Sequence, residues 1–176
     1  MTKKTLILLF SLFFCSQVYA AGNPIQFASL NLKGDVYNSK RSNGKPLVIS
    51  FFFTTCGPCK VEMPELYKIM KAKGKEKQLF FVDPYNKHLK FSGELDNKRA
   101  VKKFVKKLHI PMELVYFDAI GALTKSFIKE GIFKKAIAHK TPIVFPTIVI
   151  LDKNHKPVKV LEGEGKAFVK ELDKWF

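Results

Sequence analysis

Leu47-Val48-Ile49-Ser50-Phe51-Phe52-Phe53 is apolar at every position but Ser50, and it runs directly into Thr54-Thr55-Cys56-Gly57-Pro58-Cys59. An apolar run without alternation is the mark of a central strand covered on both faces. It restricts the chain to layered architectures in which helices cover two sides of a sheet. A helix is expected from about Gly57 to Lys73, because Pro58 suits a first turn where a missing N–H costs little.

The rest of the chain alternates in the same way. Phe27 to Leu32 and Val36-Tyr37 flank Lys33-Gly34-Asp35, which reads as a short hairpin. A strand from Gln78 to Val82 closes at Asp83-Pro84, and residues 84–97 are polar and irregular. Val101, Phe104, Val105 and Leu108 fall at helical spacing, with lysines opposite. Further expectations are a strand near Leu114 to Phe117, a helix near Leu123 to Lys129, and a hairpin from Thr147–Leu151 through Asp152-Lys153-Asn154-His155 to Val158–Leu161. Phe168, Leu172 and Trp175 form the stripe of a closing helix. The fold class is therefore α/β with a mixed sheet.

The N-terminus reads as an export signal. Lys3 and Lys4 precede an apolar stretch from Leu6 to Phe14, followed by Val18-Tyr19-Ala20 at a small-residue cleavage site. Residues 1–20 are thus assigned to the signal and 21–176 to one domain; Cys15 departs with the signal. The 31 Lys and Arg against 15 Asp and Glu would otherwise raise nucleic acid as a partner. Export argues against that, leaving a soluble periplasmic or otherwise exported protein. The basic faces at Lys68–Lys77 and Lys98–Lys107 are read as solvated helix surfaces, with docking to an acidic partner as the alternative.

Export also leaves two cysteines, Cys56 and Cys59, in an oxidising compartment. At a strand-to-helix junction the first thiol sits at a helix N-terminus, where free N–H groups and the macrodipole favour the thiolate. Cys56 is the candidate nucleophile, Cys59 resolves the mixed disulfide, and Gly57 permits close approach beside them. An inert disulfide of this span would close almost no loop. Zinc needs two further ligands, and His88, His109, His139 and His155 are scattered without a paired motif.

The stretch from Asn43-Gly44-Lys45-Pro46 through Cys56-Gly57-Pro58-Cys59-Lys60-Val61-Glu62-Met63-Pro64-Glu65-Leu66 resembles the thioredoxin superfamily, and more narrowly the exported TlpA/ResA-type thiol–disulfide oxidoreductases. The resemblance implies a thioredoxin-like fold, a mixed central β-sheet flanked by helices, here with an N-terminal hairpin extension. It implies a kink at Pro64 and an acid, Glu62, that tunes the cysteines and assists proton transfer. It also implies a cis Pro146 facing the redox pair, with Phe145, Gly57 and Pro58 shaping substrate binding. Three positions depart from the pattern. Ser50 stands where thioredoxin has a buried aspartate, and Thr55 and Phe52 stand where tryptophans are usual.

The implied activity is protein-disulfide reduction, because Gly57-Pro58 resembles the reducing thioredoxins rather than the oxidising DsbA type. Apocytochrome c in cytochrome c maturation is the substrate class that the resemblance suggests. A membrane electron donor of DsbD/CcdA type is the implied partner, with a monomeric protein and no cofactor or metal. The alternatives are a disulfide oxidant or isomerase and, from another class, a copper-binding metallochaperone with His139 as a candidate ligand.

Overall fold

A computed structural model describes residues 23–41, 44–84, 97–118, 121–133, 143–163 and 168–176. The expected signal at 1–20, the polar segment at 85–96, His88 and His139 lie outside the described residues.

Two short strands, β1 (Ala28–Leu30) and β2 (Val36–Asn38), pair antiparallel as the N-terminal hairpin. Asn31 explains its turn. The Asn31 side-chain oxygen accepts from the backbone N–H groups of Lys33, Gly34 and Asp35 at 2.9–3.0 Å, while Gly34 takes a positive φ of 103° that disfavours a side chain. The Asn31 amide also donates to the Glu113 carbonyl, and Leu32 N–H donates to Val115 O. Those two bonds dock the hairpin on the main sheet.

The main sheet contains β3 (Leu47–Phe51), β4 (Leu79–Asp83), β5 (Val115–Phe117), β6 (Thr147–Leu151) and β7 (Pro157–Glu162), in the order β5-β4-β3-β6-β7. Strands β3, β4 and β5 are parallel, and β6 and β7 join antiparallel. All five residues of β3, β4 and β6 are buried. Their side chains divide strictly by parity, as a pleated strand requires. Val48, Leu79, Phe81, Ile148 and Ile150 enter one core, as does Phe52 just past the end of β3; Leu47, Ile49, Phe51, Phe80, Val82, Val149 and Leu151 enter the other.

Helices α1 (Gly57–Ala72) and α2 (Lys98–Lys107) are crossovers between parallel neighbours, so the right-handed rule puts both on one face. With α4 (Phe168–Trp175) they cover the first core through Cys59, Met63, Leu66, Met70, Val101, Val105 and Leu172. Helix α3 (Ala122–Lys129) covers the second through Leu123 and Phe127, joined by Ile25 and Phe27 from ahead of β1. The Asp118 carboxylate anchors α3 by accepting from the N–H groups of Leu123 and Thr124 and from the Thr124 hydroxyl.

Two expectations are corrected. Strand β3 ends at Phe51, because Thr54-Thr55 turn the chain, so Phe52 and Phe53 lie beyond the ladder. Trp175 is 38% exposed and is not part of the closing helix's buried stripe. Leu172 is fully buried, and Phe176, four residues on, packs against the core in its place.

Candidate redox centre

The end of β3 is held while the chain leaves the sheet. Phe52 N–H donates to Val82 O at 3.0 Å, and Cys56 N–H donates to Phe53 O at 3.1 Å. Cys56 is then the N-cap of α1, with extended backbone at φ −68° and ψ 108°. Its Sγ accepts the Cys59 N–H at 3.2 Å, so one of the helix's unpaired donors is aimed at the first sulfur. In the reduced protein the same donor and the helix dipole favour a thiolate at Cys56.

Cys56 and Cys59 form a disulfide, with Cα atoms 5.4 Å apart. Cys56 is 4% exposed and Cys59 wholly buried, while Gly57 and Pro58 between them are exposed. Of the two cysteines, Cys56 is thus the one with any exposure. A side chain at Gly57 would meet no atom within 4 Å. Packing in the fold therefore does not demand glycine at this position.

The Phe145–Pro146 peptide bond is cis, as the resemblance implies. Register brings it to the redox end of the sheet, since Thr147 pairs with Phe51 across β6 and β3. Phe145 meets Phe53 edge to face, with ring centroids 4.7 Å apart. This contact joins the segment before Cys56 to the segment before β6. Pro146 O accepts from Gly163 N–H at 2.8 Å, and Val144 O accepts from the Thr147 hydroxyl, fixing the loop to its own sheet.

Glu62 is buried, one helical turn past Cys59 on the same inward side of α1. Helix α1 continues through Pro64, as one element. Burial disfavours the Glu62 carboxylate, the neighbouring Glu65 charge adds to this, and the pKa is pushed up from 4.5 to about 7. The folded chain thus keeps a proton that the unfolded chain releases. Stability is full below about pH 4.5 and declines as pH rises through about 7, by an amount on the order of 3 kcal/mol. Glu62→Gln is expected to remove that decline in the oxidised protein. Urea denaturation between pH 4.5 and 8 checks it: parallel curves for the two proteins would refute the assignment.

Two residues near the centre escaped the sequence reading. Phe53 continues the apolar run of β3 in sequence, but it lies beyond the strand and is half-buried against Phe145. Val61, one turn from Gly57 on the outer side of α1, is 65% exposed. Its signal was an apolar residue at a helix position flanked by Lys60 and Glu62. Ser50 is 1% exposed, and its hydroxyl has no hydrogen-bond partner among the described residues. Among the described residues, no cluster of three or more His, Cys, Asp or Glu side chains could hold a metal ion. His155 lies buried in the β6–β7 turn, and its pKa is lowered by that burial.

Comparison with known proteins agrees with this geometry. The Redoxin family model matches residues 20–174. The thiol-disulfide oxidoreductase ResA of Bacillus thuringiensis is 29% identical over a 141-residue alignment that covers 78% of this chain; the chain spans 66% of that protein's length. Among solved structures, a thioredoxin-family thiol:disulfide interchange protein from Chlorobium tepidum superposes with a TM-score of 0.64 at 20% identity, covering 88% of this chain and 96% of its own. A secreted Mycobacterium tuberculosis disulfide oxidoreductase superposes with a TM-score of 0.58 at 18% identity, covering 85% and 93%. At such identities the structural likeness shows the fold.

Proposed function

The chain belongs to the Redoxin family and carries the two-cysteine centre of a thiol–disulfide oxidoreductase, and on that premise we propose that it is an exported reductase of protein disulfides. The observation that carries this reading is the placement of Cys56 Sγ. It caps α1 behind an uncovered Gly57-Pro58, with the partner sulfur sealed inside.

In the reduced protein the Cys56 thiolate attacks one sulfur of a substrate disulfide. A bond forms between Cys56 and that sulfur, and the other substrate sulfur leaves as a thiolate. The buried Cys59 then attacks Cys56 Sγ, closes the Cys56–Cys59 disulfide and expels the second substrate thiolate. Two electrons have passed to the substrate. Glu62 accepts the Cys59 proton in this scheme, a role suited to a buried carboxyl titrating near 7. Phe145 and the cis Pro146 shape the bed for an extended substrate segment, with Gly57 and Pro58 forming its rim.

Restoring the dithiol requires a donor, and a membrane protein of the DsbD/CcdA kind would supply the electrons. The substrate class suggested by the TlpA/ResA resemblance is apocytochrome c before haem attachment. Export rests on the signal-like residues 1–20, and among the described residues no helix is long and apolar enough to cross a membrane. The protein works as a monomer, residues 21–176 forming its one domain.

The reduction potential of the Cys56–Cys59 pair tests the direction of flow. Equilibration in dithiothreitol or glutathione buffers is expected to give a value toward the thioredoxin end, near about −270 mV. A value near about −120 mV, the DsbA end, would make the protein an oxidant and overturn the reductase assignment.

A further inference from the structure

Resting on the reductase reading above, we propose that the exposed side of α2 is a docking face for an acidic protein, which it holds with a disulfide presented to Cys56. Six of the ten residues of α2 are cationic and none is acidic: Lys98, Arg99, Lys102, Lys103, Lys106 and Lys107. All six are exposed, whereas Val101, Phe104 and Val105 are buried in the core. The charges recur in pairs every four residues, forming one stripe about 15 Å long. Among the described residues ion pairs join Lys33 to Glu113 and Lys73 to Asp173, and none involves the six.

Lys106 and Lys107 suit the negative end of the helix dipole, but the rest of this arrangement opposes what the helix itself would favour. Like charges four residues apart repel, and Lys98 and Arg99 sit at the positive end of the helix dipole. An ordinary solvated face interleaves both signs. A one-sign face gains only when an anionic surface arrives. Its position supplies the link to the chemistry. Helix α2 follows β4, so it starts at the sheet end where Cys56 leaves β3, and Phe104 stacks on Phe52 at 5.7 Å. Lys60 and Lys68 on α1, the adjacent helix of the same layer, are exposed as well.

A protein fits this face better than a lipid surface does. Helices that lie in a membrane interface insert apolar side chains beside their basic ones. Here the apolar side of α2 is spent on the core, leaving charge alone outside. Attraction of this kind accelerates association by about 10-fold or more at low ionic strength and fades with salt.

The test uses two disulfide-bridged peptides of the same sequence, one with glutamates flanking the cysteines and one with glutamines. At low salt the reduced protein is expected to reduce the glutamate peptide about tenfold faster. The gap should close at about 0.5 M NaCl, where the Debye length shrinks to a few ångströms. It should also close in a variant carrying Lys102→Glu, Lys103→Glu and Lys106→Glu, with the glutamine-peptide rate unchanged. A second variant with glutamine at the same three positions repeats the measurement should charge reversal impair folding.

Equal rates for the two peptides, or a preference kept by the variants, would overturn the proposal. So would α2-dependent binding to phosphatidylserine vesicles without peptide preference, which would make the face a lipid contact. Binding of a fluorescent cysteine-free glutamate peptide separates this proposal from the reductase reading. If neither disulfide peptide is reduced, the reductase reading fails. Docking then stands if that peptide still binds through α2 and falls if it does not.

Discussion

Cys56→Ser is expected to abolish turnover of a peptide disulfide, with a loss of about 1,000-fold or more in rate. Cys56 Sγ is the sulfur that accepts the Cys59 N–H at the head of α1, and Cys56 is the one residue of the pair with any exposure. A serine oxygen in its place cannot form the mixed disulfide. Cys59→Ser should also stop turnover, but by a different failure. That variant keeps the nucleophile and lacks the sulfur that releases the substrate, so a mixed disulfide through Cys56 accumulates. Non-reducing electrophoresis and mass analysis of the trapped species distinguish the two. If Cys59→Ser formed no adduct while Cys56→Ser did, the assignment of attacker and resolver would be reversed.

Phe52→Ala should cost about 3–5 kcal/mol of stability, read as a shift in the urea midpoint at unchanged slope. Phe52 is fully buried, its ring stacks on Phe104 with planes 12° apart, and its backbone N–H holds the chain to Val82 O. Truncation leaves a cavity directly under the turn that presents Cys56. The neighbouring Phe53→Ala should cost distinctly less, since Phe53 is only half-buried. A loss below about 1 kcal/mol for Phe52→Ala would show that the ring is not part of the core that supports the site.

Much of this fold was legible in the residues because its signals are local. The apolar run at Leu47–Phe53 marks a strand buried on both sides, and β3 carries buried side chains into both cores. The repeat Val101, Phe104, Val105 marks the inward side of α2, which starts at Lys98 as its spacing suggests and ends at Lys107, with Leu108 as its C-cap. Pro58 and the cysteine pair mark the start of α1. What failed depends on how elements meet. Trp175 and Phe176 both sit one turn beyond Leu172, and only the angle at which α4 lies on the sheet decides that Phe176 turns inward.

Sequence alone thus determined the class of the fold and the position of the cysteine pair. Those follow from residue spacing and burial periodicity, each contained within about a dozen residues of chain. Tertiary structure decided everything that depends on residues far apart meeting. Phe145 and Phe53 lie 92 positions apart and touch because β6 pairs antiparallel with β3. A glutamate on a helix is ordinarily solvated; Glu62 becomes a buried acid titrating near 7 because α1 turns that side toward the sheet. The cations of α2, which form no ion pair among the described residues, share a layer with α1 because both helices are crossovers between parallel neighbours.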